Sequence, residues 1–306
     1  MSKFTDYLSN PNKFLIWILR YTNRFWPDKI YLRMIYFIYY GKTLNLHSPK
    51  LFTEKLQWLK LFYHNPYYSS LVDKIEMKKV VGELIGNQYV VPYCGVWEDF
   101  DSIDFNDLPD QFVLKCTHDS ASYVICKDKS KLDIKRARKK IEKGLNKNYY
   151  YQWREWPYKN VSPKIIAENL LVDESNDTLI DYKFFCFHGQ PVIMYISNDA
   201  GDNPHTDFFD MEFNKLNIRM RDPNSNKIIK KPDCFDEMKS LAVKLCKDMP
   251  HARIDFYYVK GIIYVGEITF YHNSGFFNIN PSEWDEILGN LIDLDKCKKD
   301  IYYCNY

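Results

Sequence analysis

The chain has 306 residues, of which 46% are hydrophobic and 27% charged, and its formal net charge is +2. This length suffices for one large domain or two smaller ones with well-formed cores. The near-neutral charge argues against a dedicated nucleic-acid-binding protein, which would be strongly basic, so we expect no nucleic acid among the partners. No segment reaches the length of a transmembrane helix.

The eight cysteines show neither a C-x-x-C pair nor the dense spacing of a disulfide scaffold. No secretory signal is recognisable, so we expect reduced thiols in the cytoplasm. Cys116 with His118 and Cys186 with His188 are potential metal ligands, but neither pair has a second pair at zinc-site spacing. The sequence therefore predicts neither disulfide bonds nor structural zinc.

The N-terminal region, 1–65, is predicted to be helical and to end in the segment 52–61. Its apolar runs at 14–19 and 34–40 are short and are broken by basic residues, which favours core helices. Helices of this composition also lie along membrane surfaces. Peripheral contact with the inner face of a membrane therefore remains open.

Two lysines stand where the surrounding backbone can also bind an anion. A helix is predicted from Asp73 to about Leu84, and Lys74 lies in its first turn, beside amides without a partner in the helix. Lys115 interrupts the apolar strand 111–116, where a buried ammonium group requires a partner. Each lysine could bind an anion, although an exposed lysine is usually only solvated.

A small polar loop, 117–122, follows this strand and leads into a second strand, 123–126. Such a loop over a lysine-bearing strand can place N–H groups and the hydroxyls of Ser120 and Ser122 on phosphate oxygens. Most loops of this kind are plain hairpin turns, so the pattern alone is weak.

Three further segments each have a structural and a functional interpretation. The predicted helix 130–146 has a basic face that is either solvated or a platform for an anionic membrane or glycolipid. The aromatic segment 149–158 serves either loop packing or contact with a sugar ring. The D-x-D spacing at 99–101 occurs in metal sites of nucleotide-sugar enzymes, but spacing alone locates no pocket.

The remaining elements complete a composite α+β unit. A buried strand is predicted at 163–171, with Glu168 near its end, followed by a hairpin at 181–197 and a helix at 238–249. Neither an internal repeat nor a low-complexity linker divides the chain. We therefore expect one α+β assembly.

The stretch 251–275 carries the most specific pattern, two strands joined by a tight turn. Alternation places Arg253 and Asp255 on a polar face of the first strand. It places Glu267 and Thr269 on a polar face of the second. Two carboxylates and an arginine on adjacent strands suit a divalent cation beside a phosphate, although a salt-bridged surface hairpin has the same pattern.

The turn length of this hairpin decides whether its acids can act together. A two-residue loop, 260–261, would send Asp255 and Glu267 to opposite faces. A three-residue loop, 259–261, would pair Arg253 with Glu267, so that all three charged groups converge. We predict the three-residue loop or another loop of odd length.

The order of these segments resembles the ATP-grasp superfamily, and the chain looks like its TupA-like branch of surface-polysaccharide biosynthesis proteins. The resemblance covers roughly residues 30–290. The motifs that carry it are F-T-E-K-L-Q-W-L-K-L at 52–61, L-V-D-K-I-E-M-K at 71–78, L-P-D-Q-F-V-L-K-C-T-H-D-S at 108–120, P-Y-K-N-V-S-P-K-I-I-A-E at 157–168, D-Y-K-F-F-C-F-H-G at 181–189, R-I-D at 253–255 and G-E-I-T-F at 266–270.

The resemblance implies an α+β fold in which two α+β subdomains grip a nucleotide, with a helical region before them. We expect the helical region at 1–65, the subdomain with the lysine strand and phosphate lid at 66–165, and the subdomain with the adenine hinge and metal hairpin at 166–306.

The resemblance also implies roles for individual residues, with ATP and Mg²⁺ as cofactors. Two positions depart from the superfamily pattern: Thr269 replaces the usual asparagine, and Ala121 stands in a lid that is usually richer in glycine. The implied roles are phosphate binding by Lys74 and Lys115, a lid with Ser120 and Ser122, an adenine hinge at Glu168, Asn169 and Leu170, nucleotide contacts by Asp181 and Lys183, catalysis by Arg253 and Lys115, and metal binding by Asp255, Glu267 and Thr269.

ATP-grasp enzymes typically activate a carboxylate as an acyl phosphate, which an amine then attacks. The resemblance thus implies a ligase that amidates a uronic acid of a bacterial surface polysaccharide, or a small-molecule or glycolipid-linked precursor, with an amino acid or amine. Two alternatives stay open: a glycosyltransferase-like enzyme that uses the D-x-D at 99–101, and an ATP-grasp binding protein that has lost turnover.

Overall fold

The computed structural model describes residues 11–120, 122–173, 179–198 and 204–304. The described chain consists of helices and two antiparallel sheets, so the α+β prediction is confirmed. The helices are α1 (Pro11–Tyr21), α2 (Asp28–Tyr40), α3 (Phe52–Phe62), α4 (Tyr67–Val72), α5 (Lys74–Leu84), α6 (Ile134–Leu145), α7 (Tyr150–Trp153), α8 (Phe235–Leu245), α9 (Glu283–Asn290) and α10 (Leu294–Lys299). The strands are β1 (Tyr93–Trp97), β2 (Phe112–Cys116), β3 (Tyr123–Cys126), β4 (Ile165–Asn169), β5 (Asp181–Phe187), β6 (Gln190–Asn198), β7 (His205–Asp210), β8 (Lys215–Leu216), β9 (His251–Val259) and β10 (Ile262–Thr269).

Helix α3 is the most deeply buried part of the N-terminal region. It begins where the Glu54 carboxylate accepts hydrogen bonds from the backbone N–H groups of Lys50 and Leu51, at 3.0 and 3.3 Å. Helix α9 packs directly against this end, because Gly289 has no Cβ to collide with the Lys50 carbonyl. Helix α3 therefore lies between α9 and the short turn at His272–Gly275.

The first sheet has the strand order β1-β4-β2-β3. Strand β2 is apolar on one side, where Phe112 and Leu114 are fully buried. Helix α6 covers this sheet with Ala137 and Ile141, and its basic residues lie on the outer face. The alternation leaves Val113 and Lys115 on the opposite side of β2, facing away from this core.

The second sheet has the order β10-β9-β5-β6-β7-β8. Helix α8 packs on it through Met238, Leu241 and Ala242, and α3 is part of the same large core. The sheet places β5, β9 and β10 side by side at one edge. That edge carries the charged residues singled out in the sequence.

The two-residue turn of the β9–β10 hairpin contradicts the predicted three-residue loop. Val259 pairs with Ile262, and both Lys260 and Gly261 have positive φ angles, of 51° and 81°. A turn with two left-handed residues matches the twist of the strands, and the glycine adopts this conformation without strain. Arg253 therefore does not lie opposite Glu267, and the predicted pairing of these two residues is wrong.

A β-bulge restores the shared polar face that this turn would otherwise have abolished. Val265 pairs with Phe256, but Glu267 pairs with Asp255, so Gly266 is an extra residue in β10. Beyond the bulge Thr269 lies opposite Arg253. The acids therefore share one face, by a different route from the predicted one.

The predicted boundary between the subdomains, 165/166, falls at the start of β4. This strand pairs with β1 and β2 only, so it belongs to the first sheet. The boundaries 1–65, 66–165 and 166–306 stay predictions.

Candidate active site

A cavity of about 540 Å³ lies between the two sheets. This volume is within the range of about 300–1,000 Å³ typical of small-molecule sites. Its walls combine charged side chains with apolar ones such as Met77, Val91 and Val113. Ten of the predicted site residues line it, namely Lys74, Lys115, Ser120, Ser122, Glu168, Asn169, Leu170, Asp181, Lys183 and Glu267.

Lys74 occupies the first turn of α5, as predicted. The Asp73 carboxylate caps this helix by accepting hydrogen bonds from the N–H groups of Ile75 and Glu76, at 2.8 and 3.4 Å. The Lys74 ammonium donates to the carbonyl oxygen of Asp119. Burial lowers the pKa of Lys74, although Glu267 opposes this shift. The lysine therefore lies between the lid loop and the acidic hairpin.

Glu168 is buried between two lysines. Its carboxylate is 2.5 Å from Nζ of Lys115 and 2.9 Å from Nζ of Lys78. Burial by itself would raise the pKa of Glu168, but Lys115 and Lys78 outweigh it and lower this pKa to about 2. The carboxylate therefore stays ionised and holds Lys115 at the cavity wall.

Lys78 is a residue that the sequence reasoning missed. It is only 4% exposed, and its ammonium also donates to the carbonyl oxygen of Val91, at 3.0 Å. It lies one helical turn after Lys74, on the same face of α5. That spacing of four residues was a usable signal, because it brings two cations to one side of the helix.

The lid loop makes contacts within itself and, outside the loop, with Tyr149. Inside, the Ser122 hydroxyl donates to the Asp119 carboxylate at 2.5 Å, and the backbone N–H of Ser122 donates to the same group at 3.1 Å. Outside, the Ser120 hydroxyl donates to the Tyr149 hydroxyl at 3.0 Å. Ala121, the predicted departure from a glycine-rich lid, lies outside the described residues.

Arg253 and Asp255 form a bidentate ion pair on β9. Nε and Nη2 of the arginine donate to the two carboxylate oxygens, both at 2.7 Å. Lys183 lies opposite Asp255 on strand β5, and its Nζ is 2.7 Å from the same carboxylate. Burial opposes ionisation of Asp255, but Arg253 and Lys183 lower its pKa.

Thr269 links Arg253 to Glu267. Its hydroxyl accepts a hydrogen bond from Nη2 of the arginine and donates to the glutamate, each at 3.1 Å. Arg253 and Thr269 do not line the cavity between the sheets, whereas Glu267 does. Arg253 instead lines an adjoining cavity of about 210 Å³, together with Asp181 and Lys183.

Asp181 lines both of these cavities. Its Oδ2 is 3.3 Å from Nζ of Lys183. Its Oδ1 is buried and has no hydrogen-bond partner among the described residues. Burial raises the pKa of Asp181, although Lys183 opposes the shift. A buried oxygen without a partner fits a hydroxyl donor or a cation from a ligand.

His272 is a second residue that the sequence reasoning missed. It is buried, and Nη1 of Arg253 donates to its Nδ1 at 2.8 Å. Because a guanidinium can only donate, Nδ1 is the acceptor and the hydrogen of a neutral imidazole is on Nε2. Burial and then the charge of Arg253 keep the pKa of His272 well below its usual value. Nδ2 of Asn273 is 3.1 Å from Nε2, and exchanging the oxygen and nitrogen of this amide would give the Nε2 hydrogen an acceptor.

The carboxylates in the cavity fit a hard cation bound together with phosphate. Mg²⁺ usually takes one or two carboxylates and completes its shell with phosphate oxygens and water. Glu267 and the unpaired oxygen of Asp181 are available, whereas both oxygens of Asp255 are paired with Arg253 and Lys183. Over the described residues no three His, Cys, Asp or Glu side chains form a metal cage.

The D-x-D segment at 99–101 lies outside both cavities. Asp99 accepts hydrogen bonds from Ser102, and Asp101 is paired with Arg138 at 2.6 Å on the surface. Phe100 is part of the core beneath the first sheet. This placement favours an ordinary capped turn over a nucleotide-sugar site.

Three solved structures illustrate what the chain resembles. The D-alanine–D-alanine ligase from Bacillus anthracis complexed with ATP is 13% identical over 75% of this chain and 67% of its own, with a TM-score of 0.44. The ATP-grasp ligase PsnB, complexed with a precursor variant, Mg and ADP, is 14% identical over 79% and 66%, with a TM-score of 0.42. The ADP complex of purK, N5-carboxyaminoimidazole ribonucleotide synthetase, is 13% identical over 71% and 50%, with a TM-score of 0.41. The chain thus spans half to two-thirds of their length.

No curated protein sequence matches this chain. The model of the TupA-like ATP-grasp family matches residues 54–293, which is most of the chain and includes both sheets. The predicted ATP-grasp fold is therefore confirmed. The chain belongs to the TupA-like ATP-grasp family.

Proposed function

We propose that this ligase activates a uronic acid of a bacterial surface polysaccharide, or of its precursor, with ATP and joins it to an amino acid or another amine. The observation that carries the proposal is the meeting of cations and acids between the two sheets. Lys74, Lys115 and Glu267 line one cavity, and Arg253 lines the cavity next to it.

In this proposal Lys74 and Lys115 bind the phosphates of ATP, and the loop 119–122 covers them. The adenine lies at Asn169 and Leu170, at the end of β4. Glu168 holds Lys115 in place, which is supported by their 2.5 Å separation. Lys183 contacts the phosphates, and Asp181 lies beside the ribose with one oxygen free for Mg²⁺.

The reaction needs no protein nucleophile. An oxygen of the substrate carboxylate attacks the γ-phosphorus of ATP, the bond to ADP breaks, and an acyl phosphate forms. The amine nitrogen then attacks the acyl carbon, phosphate leaves, and the nitrogen loses a proton. Arg253 and Lys115 stabilise the negative charge on the transferred phosphoryl group.

Mg²⁺ would be held by Glu267 and Asp181 together with the phosphates. Asp255 would join them if Lys183 or Arg253 released its carboxylate. Thr269 orients Glu267. When bound, the ion would supply charge neutralisation at the phosphates. Lys183 and Arg253 already neutralise Asp255, so the hairpin keeps a balanced charge before any ligand binds.

We also propose that the enzyme acts in the cytoplasm, at the inner face of the membrane. No described helix is long and apolar enough to cross a membrane. The N-terminal helices nevertheless expose apolar side chains beside basic ones, as interfacial helices do. The exposed apolar residues are Phe14, Leu15, Trp17, Ile18, Tyr21, Phe25, Trp26, Ile30, Phe37 and Tyr39.

A vesicle experiment tests the membrane contact. Protein is sedimented with vesicles of phosphatidylglycerol or of phosphatidylcholine alone, and we expect binding to the anionic vesicles only. Phe25→Glu, at a side chain that is 86% exposed, should weaken it, whereas Ile228→Glu, at one that is 96% exposed elsewhere, should not. Equal binding of both variants would contradict the proposal.

A turnover assay tests the ligase. Protein with Mg²⁺-ATP is screened against uronic acids and amines, and ADP and phosphate release are followed. Release that requires both an acid and an amine supports the proposal. Turnover of a nucleotide sugar without ATP would instead support a glycosyltransferase.

Two variants control this assay. Glu267→Gln should reduce turnover by about 100-fold or more without unfolding the protein, since it removes a charge from the site. Asp101→Asn should leave turnover unchanged, because Asp101 is a surface residue paired with Arg138. Full activity of Glu267→Gln would remove this residue from the site.

A further inference from the structure

A second large cavity, of about 780 Å³, lies beyond the small cavity that contains Arg253. The two cavities share Met220, Arg221 and Asn273 in their walls. The small cavity in turn shares Asp181 and Lys183 with the cavity between the sheets. A ligand in the large cavity could therefore reach Arg253 with one end.

The charge of this large cavity is positive. Arg219 and Arg221 line it, and no Asp or Glu is present among the described residues of its wall. The nearest acid to Arg221 is the adjacent Asp222, at 3.9 Å, and the Arg221 side chain is 78% exposed. Within the described chain no ion pair involves Arg219. A guanidinium group without an ion pair, beside an exposed one whose acidic partner is 3.9 Å away, suits an anionic ligand.

The backbone holds Arg219 in place at this wall. Its N–H donates to the carbonyl oxygen of Asn280, and its own carbonyl accepts from the N–H of Asn280, both at 2.8 Å. The asparagine lines the same cavity. The arginine is therefore presented by a paired segment and not by a free loop.

The remaining wall combines aromatic rings with amides. The Trp153 and Phe276 rings are 5.4 Å apart, and Tyr39 lies 5.8 Å from Phe276. Asn278 and Asn280 add amide groups that can donate and accept. Flat apolar rings beside amides bind the apolar face and the hydroxyls of a sugar ring.

We propose that this cavity binds an acidic sugar that carries a second anionic group, either a carboxylate or a phosphate. The sugar lies against Trp153, its first carboxylate meets Arg221 on the side of Arg253, and the second anionic group pairs with Arg219. The reactive role of the first carboxylate rests on the proposed function. The recognition of the second anionic group by Arg219 is independent of the proposed function.

Binding is measured by calorimetry without ATP, so that the result does not depend on turnover. The probes are glucose, glucuronic acid, digalacturonic acid and UDP-glucuronic acid. We expect no binding of glucose, and about tenfold tighter binding of a doubly acidic probe than of glucuronic acid, as a charged hydrogen bond provides. Tighter binding of digalacturonic acid would identify the second anionic group as a carboxylate, and tighter binding of UDP-glucuronic acid would identify it as a phosphate.

Arg219→Met should remove this tenfold preference while glucuronic acid binds as before. Arg138→Met, a surface arginine outside the cavity, is the matched control and should retain the preference. Trp153→Ala should weaken all acidic probes alike. Thermal unfolding of each variant shows whether it is folded.

Equal affinity for glucuronic acid and both doubly acidic probes would overturn the proposal, as would an unchanged preference in Arg219→Met. Failure of the proposed function looks different. In that case no acid and amine pair releases ADP, although the acidic sugars still bind to the protein.

Discussion

Asp255 lies opposite Glu267 across the β9–β10 hairpin because Gly266 is an extra residue in β10. The two-residue turn at 260–261 would by itself place Gly266 opposite Asp255, with the glutamate on the core side. The bulge shifts the register by one residue, so that both acids share a face. The site therefore depends on one glycine that bears no functional group.

Gly266→Ala should disturb the nucleotide cavity. A Cβ at this position would be 2.6 Å from the Tyr257 ring, so the ring must move, and both residues line the cavity. We expect a loss of about 1–3 kcal/mol in the free energy of unfolding, as overpacking causes, and weaker binding of ATP in calorimetry. In a Tyr257→Ala background the same substitution should cost less; equal costs would show that the ring contact is irrelevant.

Lys78→Met should destabilise the protein by about 2–4 kcal/mol. The substitution keeps an apolar stem but removes one of the two cations that neutralise the buried Glu168. Urea unfolding measures the loss. Lys79→Met is the matched control, because that lysine is exposed and paired only with Glu76, so its loss should be at most about 0.5 kcal/mol.

The stability of the protein should fall in acid partly through Glu168. Its pKa is about 2 in the folded protein against 4.5 ordinarily, so the unfolded chain binds the proton more readily. This contribution, about 3 kcal/mol, is present above pH 4.5 and is lost as the pH falls from 4.5 towards 2. Urea unfolding at several pH values checks it: the difference between wild type and Glu168→Gln should shrink over this window, and a constant difference would contradict the assignment.

His272→Ala should lower turnover by positioning Arg253 less well. The variant removes the acceptor at 2.8 Å from Nη1 of the arginine, and loss of a charged hydrogen bond corresponds to about a tenfold effect or more. His272→Asn retains an acceptor near that position and should recover most of the activity. Since the pKa of His272 is lowered well below its usual value, we expect no change of rate between pH 6 and 8 from its titration.

Tyr149→Phe should loosen the lid. It removes the hydroxyl that accepts from Ser120 at 3.0 Å, while the ring keeps its packing on Tyr158. Hydrogen exchange of the amides at 119–122 should become faster, and ATP should bind less tightly, by about two- to fivefold for one neutral hydrogen bond. Unchanged exchange would mean that the lid is held by Ser122 and Asp119 alone.

Hydrophobic alternation is enough to locate β2, β3, β5 and β6, because each carries its pattern within a few residues. Strands β1, β7 and β8 were not predicted. β1 contains Gly95 and exposes Tyr93 and Cys94, so its extended form depends on pairing with β4. The helix predicted at 238–249 is α8, Phe235–Leu245, which begins earlier and ends before its last predicted turn.

The sequence by itself determines which charged residues occur, in which order, and on which kind of element, and this was sufficient to recognise the family and to place Lys74, Lys115 and Glu267 at one cavity. Only the tertiary structure decides which of these charges are already paired. Glu168 pairs with Lys78 from another element far away in the chain, and Arg253 pairs with His272 in the turn after β10. Burial and strand register create such pairs, and both depend on partner elements that local sequence patterns do not contain.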